Sequence, residues 1–182
     1  MIWSTLNSRR EAVSLVILGA GALTSCGKQE TAPEAAPQAA PIAANWKSAL
    51  PAEFATLTMK DGGVCYLDAL NGSAIADGPV RVKSGSPTAF AGWGVADVKT
   101  GRVGTSVGIV LNSATPYYIA ARAYVRAGLG AALKGAHSLD SGGLKLDATP
   151  LNVPAGDYRV LFLMQSDHNL LRCDTGHTLQ VE

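Results

Sequence analysis

The stretch "AGDYRVLFLMQ", residues 155–165, decides the fold, because its apolar side chains continue on both faces of an extended chain. Successive side chains of a strand point to opposite faces, so a strand with one solvated face alternates apolar and polar residues. The unbroken apolar run from Val160 to Met164 is instead typical of a strand that is covered on both sides. We therefore predict a layered β protein with this strand near its middle.

Short strands separated by turn residues are predicted on both sides of it. "PVRVKSG" (79–85) and "GGLKLDA" (142–148) alternate, and "NGS" (71–73), "KTGR" (99–102) and "SDHN" (166–169) are turn signals. "LLRCD" (170–174) and "HTLQVE" (177–182) are expected to form a hairpin around Thr175-Gly176. Residues 126–136, "RAGLGAALKGA", look helical despite three glycines, and a further short helix is expected around 48–54. The prediction is an all-β sandwich, immunoglobulin-like or jelly-roll, with eight or nine strands and one short helical excursion.

Two cysteines, Cys65 and Cys173, lie within this predicted sandwich. In an exported protein, paired cysteines usually form a disulfide, which we predict here; two buried free thiols are the alternative. Together with Trp93 they invite comparison with the Cys-Trp-Cys pattern of immunoglobulin domains, but Cys173 lies too far along the chain. Two cysteines with scattered histidines also lack the ligand spacing of a metal site, so no metal or cofactor is predicted.

The N-terminus has the features of an export signal. Arg9 and Arg10 precede the apolar stretch "AVSLVILGAGAL" (12–23), which is too short to span a bilayer as a helix. The following "LTSC" (23–26) resembles the bacterial lipobox, in which the cysteine is acylated and becomes the mature N-terminus. The resemblance implies a signal peptide at 1–25 and a lipid-anchored Cys26, with several acyl chains giving stable anchoring. Ser8-Arg9-Arg10 is also similar to a twin-arginine signal, so the export route stays open.

The segment after Cys26 is rich in alanine and proline up to Asn45. Such a composition cannot bury enough apolar surface to fold, so 26–45 is predicted to be a tether and 46–182 the folded domain. Gly27 replaces the aspartate that retains lipoproteins in the inner membrane. The resemblance therefore implies the cell envelope, and the outer membrane, facing the periplasm or the surface, if the cell has two membranes.

The charge balance bears on the partners. The whole chain has 15 basic and 14 acidic residues, and removing 1–25 deletes Arg9, Arg10 and Glu11, which leaves 13 of each. Binding to phosphate backbones needs clustered Lys and Arg, so nucleic acid is not expected as a partner. The membrane is expected to be contacted through the N-terminal lipid.

Residues 90–181 resemble an uncharacterised β-sandwich domain of bacterial envelope proteins. The resemblance is carried by "GWGVAD" (92–97), "YYIAARAYV" (117–125), "VPAGDYRVLFLM" (153–164) and "CDTGHTLQV" (173–181). Similar domains are attached to membrane proteins of surface-polysaccharide metabolism. The related pattern places an acidic residue shortly after the arginine that corresponds to Arg122, and this chain has none there. No catalytic residue is implied.

Motifs of catalysis are absent from the sequence: there is no Gly-x-Ser-x-Gly elbow, no phosphate loop and no paired histidines. One pattern instead favours binding. Alternation in "PYYIAARAYVRA" (116–127) places Tyr118, Arg122, Tyr124 and Arg126 on one face, where tyrosine can stack and arginine can bind carboxylates. We expect a non-enzymatic envelope lipoprotein that binds a glycan or another envelope protein through these residues. Ordinary cross-strand pairing of the four side chains, and a small hydrolase or enzyme inhibitor, are the alternatives.

Overall fold

A computed structural model describes residues 45–182 with the exception of residue 77. The predicted signal peptide and Cys26, together with the predicted tether up to residue 44, lie outside the described residues. No helical segment in the described part of the chain has the length and hydropathy needed to span a bilayer.

The described residues form strands joined by short loops, with little helix. In chain order the elements are a 3-10 turn at Ala52–Phe54, β1 Thr58–Asp61, β2 Val64–Leu70, β3 Ser73–Ala74, β4 Val80–Val82, β5 Pro87–Asp97, β6 Arg102–Val103, β7 Val107–Asn112, β8 Tyr117–Tyr124, α1 Leu129–Ala132, a 3-10 turn at His137–Gly142, β9 Gly143–Pro150, β10 Gly156–Ser166 and β11 Asn169–Val181. The all-β prediction with a short helical excursion is confirmed. The described residues form eleven strands, two more than the upper limit of the prediction. Two of them, β3 and β6, have only two residues each and were not recognised from the sequence.

Two sheets face each other, and β8 belongs to both. Sheet A has the order β1-β11-β10-β7-β8, with β4 beside the C-terminal end of β11. Sheet B continues from β8 through β9, β5, β2 and β3, with β6 beside β5. The first half of β8 pairs with β7, and its last residues, Arg122 to Tyr124, pair with β9. The chain therefore closes one side of the sandwich with continuous hydrogen bonding.

Strand β10 is covered on both faces, as its sequence predicts. Phe162 and Met164 point into the main core between the sheets. Leu161 and Leu163 point outwards and pack in a second cluster with Phe54. The 3-10 turn at Ala52–Phe54, within the segment where a short helix was expected, thus covers the outer face of sheet A.

The second helical prediction, residues 126–136, is confirmed only in its middle. The helix is limited to Leu129–Ala132, and Gly128 before it has the left-handed φ of 83°. A Cβ atom at Gly130 would lie 2.4 Å from the Ala136 carbonyl oxygen, so the segment folds tightly back on itself. Leu129 and Leu139 then cover Val95 on the outer face of sheet B.

The predicted hairpin around Thr175-Gly176 is wrong, because β11 runs without a break from Asn169 to Val181. The turn residues form a bulge instead: the pairing of β10 with β11 shifts register between Arg159 and Leu161, opposite this segment. Gly176 supplies a φ of 82° at the bulge. The Thr175 hydroxyl donates a hydrogen bond of 2.8 Å to the Val160 carbonyl oxygen. This oxygen therefore has a partner at the position where the bulge interrupts the strand pairing.

The predicted disulfide is confirmed. Cys65 of β2 and Cys173 of β11 are bonded, with their Cα atoms 6.0 Å apart. It joins sheet B to sheet A on the side of the sandwich opposite the crossing strand β8. We refer to this junction of β2 and β11 as the seam.

Candidate binding face

The predicted face on β8 is divided by the crossing of that strand between the two sheets. Tyr118 lies in the part that pairs with β7 and packs, half-buried, against the outer cluster of sheet A. Its N–H donates to the Lys47 carbonyl oxygen at 2.7 Å, and the Lys47 N–H donates back at 3.0 Å. Arg122 and Tyr124 instead pair with β9 in sheet B. The strand that carries the predicted face therefore belongs partly to sheet A and partly to sheet B.

Both arginines of the predicted face have a carboxylate partner. Arg122 forms an ion pair with Asp147 of β9, and both side chains are largely exposed. Arg126 lies beyond the end of β8 and forms an ion pair with Asp68 of β2, with 35% and 28% of the side chains exposed. Because β8 and β2 are separated by β9 and β5, Arg126 connects the two sides of sheet B across its outer face.

Three aromatic residues occupy one cross-strand row on sheet B. Tyr66 of β2 is the direct partner of Trp93 of β5. Trp93 is paired on its other side with Gly143 of β9, and Gly143 is paired with Tyr124 of β8. Direct partners in neighbouring strands point to the same face, and this is the outer face, because Trp93 packs against the cluster under α1. We call Tyr66, Trp93 and Tyr124 the aromatic row.

Gly143 leaves space for the ring of Tyr124 to lie along the row towards β9. A Cβ atom at Gly143 would lie 2.8 Å from two ring carbons of Tyr124, so only glycine leaves space for the ring there. At the other end, Tyr66 is 46% exposed, and its ring meets His177 of β11 edge to face at 5.5 Å between centroids. The row therefore runs from the crossing strand to the seam.

Tyr66 and Trp93 were not among the residues predicted from the sequence for the binding face. Alternation in "VCYLDAL" and "AFAGWGVAD" does place them opposite the core residues Leu67 and Phe90. They share a row with Tyr124 because of the register between four strands, and this register cannot be predicted from the sequence of any one strand.

A groove of about 510 Å³ lies between the Lys47 segment and β8 and includes two residues of the predicted face. Tyr118 and Arg122 line it together with Lys47 and Glu53. Its remaining lining is mostly small or apolar. Of the four predicted residues, Tyr118 and Arg122 line the groove and Tyr124 belongs to the aromatic row. Arg126 forms the ion pair with Asp68.

The loops at one end of the sandwich carry charge but do not form a recognisable catalytic arrangement. Arg102 donates to Ser166 at 3.1 Å and pairs with Asp167, and this carboxylate raises the pKa of the Arg102 guanidinium above its usual value. The backbone N–H of Thr100 lowers the pKa of Asp97 in the same turn. Asp174, seven residues after Asp167, pairs instead with Arg159. No group of three metal-binding side chains occurs among residues 45–76 and 78–182.

The histidines occupy separate positions. The His137 side chain is 99% exposed, and its Nδ1 lies 3.9 Å from Oδ2 of Asp140. His168 is exposed in the turn between β10 and β11, and His177 contacts Tyr66. None of these contacts pairs a histidine with a serine or cysteine nucleophile.

Comparison with known proteins finds no matching family model, no matching curated protein and no matching solved structure.

Proposed function

We propose that the protein is a lipid-anchored envelope lipoprotein whose sheet B binds a glycan along the aromatic row. We infer the lipid anchor from the lipobox resemblance at Cys26 and from the alanine- and proline-rich segment that follows it. The disulfide between Cys65 and Cys173 agrees with an exported protein, because such bonds persist in oxidising compartments.

The observation that carries the glycan proposal is the register that aligns Tyr66, Trp93 and Tyr124. Flat aromatic side chains provide a large contact area with few rotatable bonds, and they suit the C–H face of a sugar ring. Sugar hydroxyls need donors and acceptors at the margin of such a surface. The pairs Arg126–Asp68 and Arg122–Asp147 provide both on the same sheet.

A second surface for a partner is the groove beside Lys47. It contains Tyr118 and Arg122 above a mostly apolar lining, which fits a protein segment better than a flat sugar ring. Envelope protein binding at this groove is therefore the second candidate. A hydrolase is not proposed, because no contact of the described histidines favours it.

The anchor is tested by expressing Cys26→Ala and fractionating the cells. We expect the variant to stay unprocessed or to leave the membrane fraction, because acylation needs the thiol. Processing and membrane retention equal to those of the unmodified protein would reject the lipid anchor.

Glycan binding is tested by presenting the purified lipoprotein, in detergent, to an array of envelope and storage glycans. We expect retention on a subset of the glycans, and we expect excess soluble glycan of the same type to compete. Failure to retain any glycan, with capture of an envelope protein in a parallel pull-down, would favour the groove beside Lys47.

A further inference from the structure

A second concave surface lies beside the seam, on the outer face of sheet A. It is a groove of about 440 Å³, and two arginine–aspartate pairs and Asn112 line it. One pair joins Arg159 of β10 to Asp174 of β11, and the other joins Arg172 of β11 to Asp61 of β1. We call it the seam groove.

The side chains of the seam groove are held in place but keep unused hydrogen-bonding capacity. Arg172 donates from Nε at 2.9 Å and approaches with Nη2 at 2.8 Å, in both cases to Oδ1 of Asp61. Asp174 accepts the Gly176 N–H at 2.9 Å with one oxygen and pairs with Arg159 through the other. A guanidinium has five N–H donors and a carboxylate about four acceptor positions, so each group can bind a further partner.

The balance of charge in the seam groove selects the class of ligand. Two guanidinium groups face two carboxylates, so the formal charge of the four groups is zero. An anionic ligand would have to compete with the aspartates already paired to the arginines, and a cationic one with the arginines. A hydroxyl group both donates and accepts, so a neutral polyhydroxylated compound can use both kinds of group without breaking either pair.

The seam groove, on the outer face of sheet A, and the aromatic row, on the outer face of sheet B, both end near the seam. Gly63 lines the groove directly before β2 begins, and Tyr66 of the row lies three residues further along that strand. On β11, Asp174 lines the groove and His177, three residues on, contacts Tyr66. The disulfide at Cys65 fixes the two strands to each other at this point. A ligand longer than the row would therefore reach the groove by passing round this edge of the sandwich, from the outer face of sheet B to that of sheet A.

We infer that the seam groove is an end subsite for a neutral oligosaccharide whose first sugars stack on the aromatic row. The inference rests on the proposed glycan binding and specifies its ligand as uncharged and longer than the row alone accommodates. The row supplies apolar contact, and the groove supplies hydroxyl recognition beyond Tyr66.

The test is a titration of the purified full-length lipoprotein with oligosaccharides of increasing length. Neutral glucose and N-acetylglucosamine oligomers of two to six sugars serve as probes, and galacturonate oligomers serve as the acidic counterpart. Binding is measured for the unmodified protein, for Arg159→Ala and for Asp174→Ala. Arg81→Ala is the matched control, because Arg81 also forms an exposed ion pair, with Glu182, outside the seam groove.

We expect the affinity of the unmodified protein for a neutral series to rise at least tenfold between the shortest and longest oligomers. The two groove variants should lose this rise and keep the affinity for the shortest oligomer, whereas Arg81→Ala should change neither. If affinity still rises with oligomer length in the groove variants, the inference is overturned but the proposed function stands. Binding of the acidic series alone would have the same meaning. Absence of binding to every series would overturn both. Unchanged thermal unfolding of the variants excludes loss of fold as the cause.

Discussion

Cys65 and Cys173 join two strands, β2 and β11, that share no backbone hydrogen bond in the described part of the chain. The other side of the sandwich is closed by hydrogen bonds along β8. On this side β1 and β4 pair with the two ends of β11, and β3 pairs with the end of β2, so the middle of β11 and the first part of β2 have no strand partner there among the described residues. The disulfide therefore closes the sandwich where the backbone does not.

Removing the disulfide should destabilise the fold strongly. The bond closes a loop of 108 residues, for which the chain-entropy model gives about 4–5 kcal/mol. We expect the double variant Cys65→Ser, Cys173→Ser to lose about 4 kcal/mol of unfolding free energy, measured by urea denaturation. A loss below about 1 kcal/mol would show that the packing of the sheets alone holds the seam.

Trp46 should anchor the beginning of the domain through its size and not through its indole N–H. The residue is 7% exposed and meets Phe90 edge to face at 5.9 Å, but Nε1 is buried and has no hydrogen-bond partner among the described residues. We expect Trp46→Ala to cost about 3–5 kcal/mol. Trp46→Phe should cost about 1 kcal/mol or less, because it also removes an unsatisfied donor. Equal losses in thermal or urea unfolding would contradict this account.

The ion pair of Arg126 with Asp68 should contribute more than that of Arg122 with Asp147, since it is the less exposed of the two. Double-mutant cycles with alanine measure each coupling free energy. We expect about 1 kcal/mol for Arg126–Asp68 and about 0.3 kcal/mol for Arg122–Asp147, with the second falling further in high salt. The reverse order would mean that Arg126 does not hold the two sides of sheet B together.

Local patterns were sufficient for several features of the fold. The apolar run in β10 predicts a strand covered on both sides because each face needs its own cover, and Phe54 and the main core provide them. The even number of cysteines in the domain predicts the bond between Cys65 and Cys173. Both inferences depend on burial or composition and not on which strands are neighbours.

The remaining features depend on contacts between residues far apart in sequence. Thr175-Gly176 has the composition of a hairpin turn, but β10 pairs with residues on both sides of it and makes it a bulge. Alternation along β8 predicts one face, whereas its partners β7 and β9 assign Tyr118 and Tyr124 to different sheets. Register between strands is set by the whole sheet, so the aromatic row was not predictable from any single segment.

Binding of a retained glycan to Tyr66→Ala, compared with Tyr118→Ala, tests the central claim most directly. Tyr66 belongs to the aromatic row and is 46% exposed, whereas Tyr118 lies on sheet A beside the Lys47 groove, so the two substitutions remove the same ring from different surfaces. We predict at least tenfold weaker binding for Tyr66→Ala, corresponding to about 1.4 kcal/mol, and affinity within about twofold of the original for Tyr118→Ala. Full affinity in Tyr66→Ala with loss in Tyr118→Ala would contradict the account and place the binding site at the Lys47 groove.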